Sequence, residues 1–163
     1  MSGEFVWRTE PRPGDPAAVR EIILSTGFFH DYEVDVAVEL VEERLAKGLA
    51  SGYHFVLVEQ AGRLVGYSCY GPIPCTRASH DLYWIAVHDT LRGQGLGREL
   101  LQRTEQAIAA QQGLRIYVET SSKAQYEPTR QFYLHCDYRI EAVLEDFYEP
   151  GDGKVILVKK VGP

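Results

Sequence analysis

The stretch Arg92-Gly93-Gln94-Gly95-Leu96-Gly97 decides how this 163-residue chain is read. A strand-like run, Asp81-Leu82-Tyr83-Trp84-Ile85-Ala86-Val87, leads into it, and a helix-like run from Gly97 to Gln112 leaves it. Glycines at alternate positions let backbone N–H groups turn inward with no Cβ in the way. Those donors then stand at a helix N-terminus, the positive end of the macrodipole. Arg92 adds a planar, permanently charged fork. The combination suits a phosphate or pyrophosphate. A plain surface turn has no need of three alternating glycines behind an arginine.

Outward from the loop, hydrophobic periodicity and turn residues divide the chain. Phe5–Thr9 reads as a first strand, followed by the breakers Pro11, Pro13, Gly14 and Pro16. Asp15 is expected to cap a helix, with Pro16 at its first position and Val19, Ile22 and Ile23 inward, that runs to about Thr26. Asp31 is expected to cap a second helix with the stripe Val34, Val38, Val41 and Leu45, ended by Gly48. Between Asp31 and Arg44 this helix carries six acids against one base, which reads as a solvated face or as one wall of a site for a cationic amine. Tyr53–Gln60 and Leu64–Tyr70 form a hairpin about Ala61-Gly62-Arg63. After the glycine loop and its helix come a strand, Leu114–Thr120, a short helix, Pro128–Cys136, and a hairpin of Tyr138–Tyr148 with Lys154–Lys160. The total is about seven strands and four helices in the order β-α-α-β-β-β-α-β-α-β-β. This is an α/β chain with a mixed sheet, hairpins first and a crossover helix in the middle. The length fits one domain over 1–163.

Composition narrows the function classes. A formal charge of −6 argues against a nucleic-acid partner. The N-terminus lacks a basic segment followed by an apolar one, and no apolar run is long enough for a membrane span, so a cytoplasmic chain without a membrane partner is expected. Three cysteines (Cys69, Cys75, Cys136) without a C-x-x-C pair indicate reduced thiols, with Cys136 in the core. The five histidines show no H-x-x-x-H spacing, and no metal site is expected.

Two phosphate-binding motifs fit the loop poorly. A nucleoside-triphosphate loop requires Lys-Ser or Lys-Thr after its last glycine, whereas Arg98-Glu99 follow Gly97. A dinucleotide fingerprint places its first glycine directly after the strand and spaces the third more widely. Here His88–Arg92 intervene and Gly97 arrives one residue early, although Glu119 stands where a ribose-binding acid would.

The pattern of Arg92, Gly95 and Gly97, opening a long helix after Ile85-Ala86-Val87, resembles the first motif of the GNAT superfamily of N-acetyltransferases. The run Thr129 to Tyr138, with Phe132-Tyr133 ahead of Asp137-Tyr138, resembles the second motif, a helix ending in Phe-Tyr and followed by Gly-Phe or Gly-Tyr. The element order follows that superfamily over nearly the whole chain. The resemblance implies the acyl-CoA N-acyltransferase fold and transfer of an acetyl group from acetyl-CoA to a primary amine of a small molecule or a peptide N-terminus. A non-catalytic acyl-CoA-binding regulatory module is the alternative.

The resemblance also implies roles. The main chain of Ile85, Ala86 and Val87, on a strand splayed from its neighbour, would bond the pantetheine arm, as a peptide adds to a sheet edge. The amides of Arg92, Gly93, Gln94, Gly95, Leu96, Gly97 and Arg98 would hold the diphosphate. Tyr133 would protonate the departing thiolate, with Phe132 as the core member of the pair. Glu119, its pKa raised by burial, or a chain of waters in place of a direct base, would take the amine's proton. The superfamily's asparagine upstream of the tyrosine is missing; Tyr126 or Ser122 falls nearby, and Tyr126 is the candidate cofactor contact there. Tyr32, Glu119, Phe147 and Tyr148 would frame the acceptor amine. Asp137 replaces the second motif's glycine and tolerates a left-handed conformation less well. Edge strands in such folds pair between subunits, which allows a homodimer.

Overall fold

The computed structural model describes residues 3–163. Its elements are β1 (Phe5–Arg8), α1 (Asp15–Ser25), α2 (Asp31–Lys47), β2 (His54–Gln60), β3 (Arg63–Pro72), β4 (Ser79–Val87), α3 (Leu96–Ala110), β5 (Arg115–Ser121), α4 (Glu127–His135), β6 (Arg139–Glu149) and β7 (Asp152–Lys160). This is the order expected from the sequence. The seven strands take the sheet order β1-β2-β3-β4-β5-β7-β6, with β4 and β5 parallel. β1, β2 and β3 are joined by antiparallel pairing, as are β5, β7 and β6. By contacts the chain divides into two compact units, one ending at Gly71 and resuming over Trp84–Thr104, the other comprising Pro72–Tyr83 and Glu105–Pro163.

The first unit holds β1, α1, α2, β2, nearly all of β3, the later part of β4 and the first part of α3. Its core gathers Val19, Ile22 and Ile23 of α1, Val34, Ala37, Val38 and Val41 of α2, and Phe55, Leu57, Tyr67 and Cys69 of the hairpin. Arg8 ties β1 to α1 through two bonds to the Asp15 carboxylate, at 2.7 and 2.6 Å, and reaches Glu59 on β2 at 3.2 Å. Those bonds correct two expectations about helix starts. Gly14 is the N-cap of α1 and Asp15 is its first residue, because the Asp15 carboxylate is drawn to Arg8 and to the Arg12 amide. His30, not Asp31, is the N-cap of α2, and its amide donates to Glu33 at 3.3 Å. The α2 stripe is also displaced. Leu45 is exposed, while Arg44 is buried, donating to the Tyr53 carbonyl at 2.6 Å and pairing with Glu10 at 3.1 Å.

In the second unit β5 is paired along its whole length with β7, from Arg115↔Lys160 to Ser121↔Lys154. The described β4–β5 ladder is short, from Ser79↔Arg115 to Leu82↔Val118. Gly153 is required at the start of β7: a Cβ there would stand 2.9 Å from the Leu144 carbonyl oxygen, inside contact distance. α4 ends in a Schellman turn, with the Tyr138 amide donating to the Tyr133 carbonyl at 3.0 Å and the Asp137 amide to that of Leu134 at 3.2 Å. Asp137 has φ +70°, the left-handed conformation that a non-glycine residue adopts at a cost of about 1–2 kcal/mol. Replacing Asp137 by glycine should therefore stabilise the protein by about 1 kcal/mol and raise Tm by about 2–4 °C in a calorimetric scan.

Candidate active site

The glycine loop belongs to the first unit, and local bonds hold its approach. After β4 the His88 amide donates to the Val65 carbonyl at 2.8 Å, and the Asp89 amide to Ser25 Oγ at 3.0 Å. One 3-10 turn over Asp89–Leu91 then delivers the chain to Arg92, whose guanidinium meets Asp89 at 3.2 Å in solvent. Gly93 and Gly95 have φ +75° and +79°, so two of the three glycines occupy the region that side chains avoid. Gly97 lies within α3, which begins at Leu96. The Gly95 carbonyl accepts the Glu99 amide at 3.1 Å. Among the described residues no hydrogen-bond partner is found for the amides of residues 93–98. These donors lie at the positive end of a 15-residue helix. That helix is fastened by buried Leu96, Leu100 and Leu101 and by a buried bond of 2.6 Å between Ser68 and Thr104. Such a cradle suits an anion with several acceptor oxygens, of which a diphosphate is one.

Tyr133, in the second unit, is buried on α4. Burial raises its phenol above the ordinary tyrosine range, with the nearby Cys136 thiol adding to the effect, so it is held protonated. Phe132 is only half-buried and packs edge-on against it at 5.3 Å, so the expected roles of the pair in the core are reversed. The ring of Tyr138 lies 5.3 Å from that of Tyr133, and its hydroxyl donates to Glu105 at 3.1 Å. Lys159 donates to both oxygens of Glu105, at 2.9 and 3.2 Å, and to the Cys136 carbonyl at 3.0 Å. This part-buried ion pair anchors the C-terminal end of the helix that carries Tyr133. At the other end Arg130 donates to the Ser121 and Lys123 carbonyls, at 2.6 and 3.0 Å, fixing the turn between β5 and α4. Tyr126 sits in that turn, half-buried.

Glu119 is not buried as expected: its side chain is 48% exposed, and its carboxylate accepts from Lys154 at 3.0 Å. Lys154 is the better-covered partner, at 13% exposure, with its ammonium 3.8 Å from the centre of the Phe147 ring and 6.0 Å from that of Tyr148. Leu144 is the β6 partner of Lys154, and beyond it the ladder breaks until Glu149. Within that break Asp146 adopts φ +55° and accepts the Gly151 amide at 2.8 Å, which sets the turn that carries Phe147 and Tyr148. The carboxyl raised above its ordinary range is Asp81, by burial first and then by the charge of Glu119, with Lys154 opposing. The structure thus brings Glu119, Phe147 and Tyr148 together and adds Lys154 and Asp81, which sequence reasoning missed. Tyr32 belongs to the first unit, where it is 68% exposed and stacks on His30 at 5.4 Å. Of the acids on α2, Asp35 pairs with Arg20, Glu43 with Lys47, and Glu33 serves the cap.

A family model described as an acetyltransferase (GNAT) domain matches residues 51–140. A solved structure from Desulfovibrio desulfuricans, assigned to the GNAT acetyltransferase family, is 43% identical to this chain, covers 97% of it and 99% of its own length, and superposes with a TM-score of 0.95. At 18% identity, an aminoglycoside 6'-N-acetyltransferase complexed with coenzyme A shares the fold, with 97% and 98% covered and a TM-score of 0.76. The ribosomal-protein-S18-alanine N-acetyltransferase of Escherichia coli does likewise at 15% identity, with 98% and 96% covered and a TM-score of 0.74. No curated protein matches. The chain belongs to the GNAT family and is an N-acetyltransferase.

Two outcomes follow. Gly95→Ala should place a Cβ in the left-handed region, at a cost of about 1–2 kcal/mol. A calorimetric scan should then show Tm lowered by about 2–8 °C. Asp81 has a raised pKa in the folded state, so its contribution favours folding in acid and is lost as pH rises through that folded value. Asp81→Asn should therefore be more stable than the parent in denaturant melts at pH 7, and the difference should close as the pH is lowered toward the carboxylate range.

Proposed function

We propose that this chain transfers acetyl from acetyl-CoA directly to a primary amine, on a small molecule or a peptide N-terminus. The observation that carries the reading is the row of unpartnered amides at residues 93–98, two of whose glycines adopt positive φ. The amides of residues 93–98 would hold the diphosphate of the donor, with Arg92 contributing its guanidinium because its amide already donates to the Asp89 carbonyl at 3.2 Å; the main chain of Ile85, Ala86 and Val87 would hold the pantetheine arm, and Tyr126 a further part of it. The donor supplies an acetyl group activated as a thioester.

Transfer forms one C–N bond and breaks one C–S bond; the acceptor's ammonium loses two protons, one to a carboxylate before attack and one after it that restores the phenol, while the departing sulfur gains one. Tyr133, kept protonated by burial, donates to the departing sulfur. The amine's proton passes to the carboxylates of Glu119 and Asp81, of which Asp81 is made the readier to hold it by burial. Phe147 and Tyr148 line the approach of the amine, and Tyr32 is a further aromatic candidate for contact with the acceptor. Exposed rings at the break in the β6–β7 ladder support that role. The whole chain acts as one catalytic domain in the cytoplasm.

Acetyl-CoA at a hundredfold excess over its Kd should stabilise the protein by about 2.7 kcal/mol in a thermal melt. Tyr133→Phe should lower kcat by about a hundredfold while leaving coenzyme A affinity within a factor of two, read by thiol release and calorimetry. Unchanged turnover in that variant would remove Tyr133 from the chemistry. Tight acetyl-CoA binding without transfer to any amine would favour a regulatory acyl-CoA-binding module.

A further inference from the structure

The residues suited to an amine already hold one. A carboxylate at 3.0 Å and an aromatic face at 3.8 Å are what an ammonium seeks when it leaves water. In this chain the ammonium between Glu119 and Phe147 is that of Lys154, and Asp81 lies within reach of its charge. β7 fixes Lys154: its backbone pairs with Ser121 on one side and Leu144 on the other. Its side chain is largely covered, so its charge is poorly screened. Glu119 and Asp81 can receive an acceptor's ammonium, but a second amine set against Lys154 is repelled by it, whereas a carboxylate there is drawn to it.

We infer that the acceptor carries a carboxylate as well as its amine, that is, an amino acid or a close derivative, and that Lys154 is the residue that selects it. This inference rests on the acetyl-transfer reading above. In this arrangement charges alternate. The acceptor's ammonium faces Glu119 and Asp81, and its carboxylate faces the Lys154 ammonium, which has three donors and gives one to Glu119. Phe147 and Tyr148, which meet edge-on at 5.1 Å and are exposed, form an apolar wall for the acceptor's side chain. Polyamines and aminoglycosides, which offer cations and no anion, are disfavoured by the same charge.

The experiment compares the common amino acids, each beside its carboxamide and its decarboxylated amine. Thiol release with acetyl-CoA held constant gives kcat/KM, and calorimetry gives binding without turnover. The parent protein should prefer at least one amino acid to its decarboxylated amine by tenfold or more in both readouts. Lys154→Met should abolish that preference and Lys154→Arg should keep most of it. Equal or better use of the decarboxylated amines by the parent protein, or an unchanged preference in Lys154→Met, would overturn the inference while leaving acetyl transfer standing. Selective binding of an amino acid that depends on Lys154, with no thiol released, would support the carboxylate site and defeat the transfer reading instead.

Discussion

Unsatisfied backbone donors constrain this structure more than any side chain does. A helix leaves its first amides without partners, and most helices cover them with a capping side chain. α3 opens on Gly95-Leu96-Gly97, and no such partner is found for residues 93–98 among the described bonds. What surrounds the loop holds those donors in place. Ser25 and Val65 hold the approach, the Asp89–Leu91 turn sets the entry angle, and the Ser68–Thr104 bond and three leucines seat the helix behind it. Positive φ at Gly93 and Gly95 makes the path affordable only for residues without a side chain.

The second unit solves a different problem, that of presenting a phenol and a set of charges on short elements. α4 has nine residues and could not persist alone. It is closed by a Schellman turn and gripped at both ends by cations: Lys159 on the Cys136 carbonyl and Arg130 on the carbonyls before the helix. The charged cluster of Asp81, Glu119 and Lys154 draws one residue from each of three adjacent strands. Each strand contributes a side chain to one patch, and the break in the β6–β7 ladder lays aromatic rings over it.

The element order was legible because each helix and strand carries its own periodicity, and because glycine and proline mark the joints. The loop was legible for the same local reason. Gly97 shows the limit: its spacing resembles that of Gly93 and Gly95, yet it is helical. Arg44, Lys154 and Asp81 were not legible, since what places them is pairing between distant segments. Arg44 completes a stripe by bonding Tyr53 and Glu10, and Lys154 meets Glu119 only through the β5–β7 register. Local preference favours Asp15 and Asp31 as caps, but Arg8 claims the first carboxylate and His30 takes the second position.

The central claim is that the amides of residues 93–98 hold the diphosphate of coenzyme A. Backbone amide resonances of the 15N-labelled protein, followed as coenzyme A is added, test it most directly. Hydrogen bonds to phosphate should shift the amides from Gly93 to Arg98 downfield together and slow their exchange with solvent. Resonances that stay in place while coenzyme A binds with its shifts elsewhere would contradict the account.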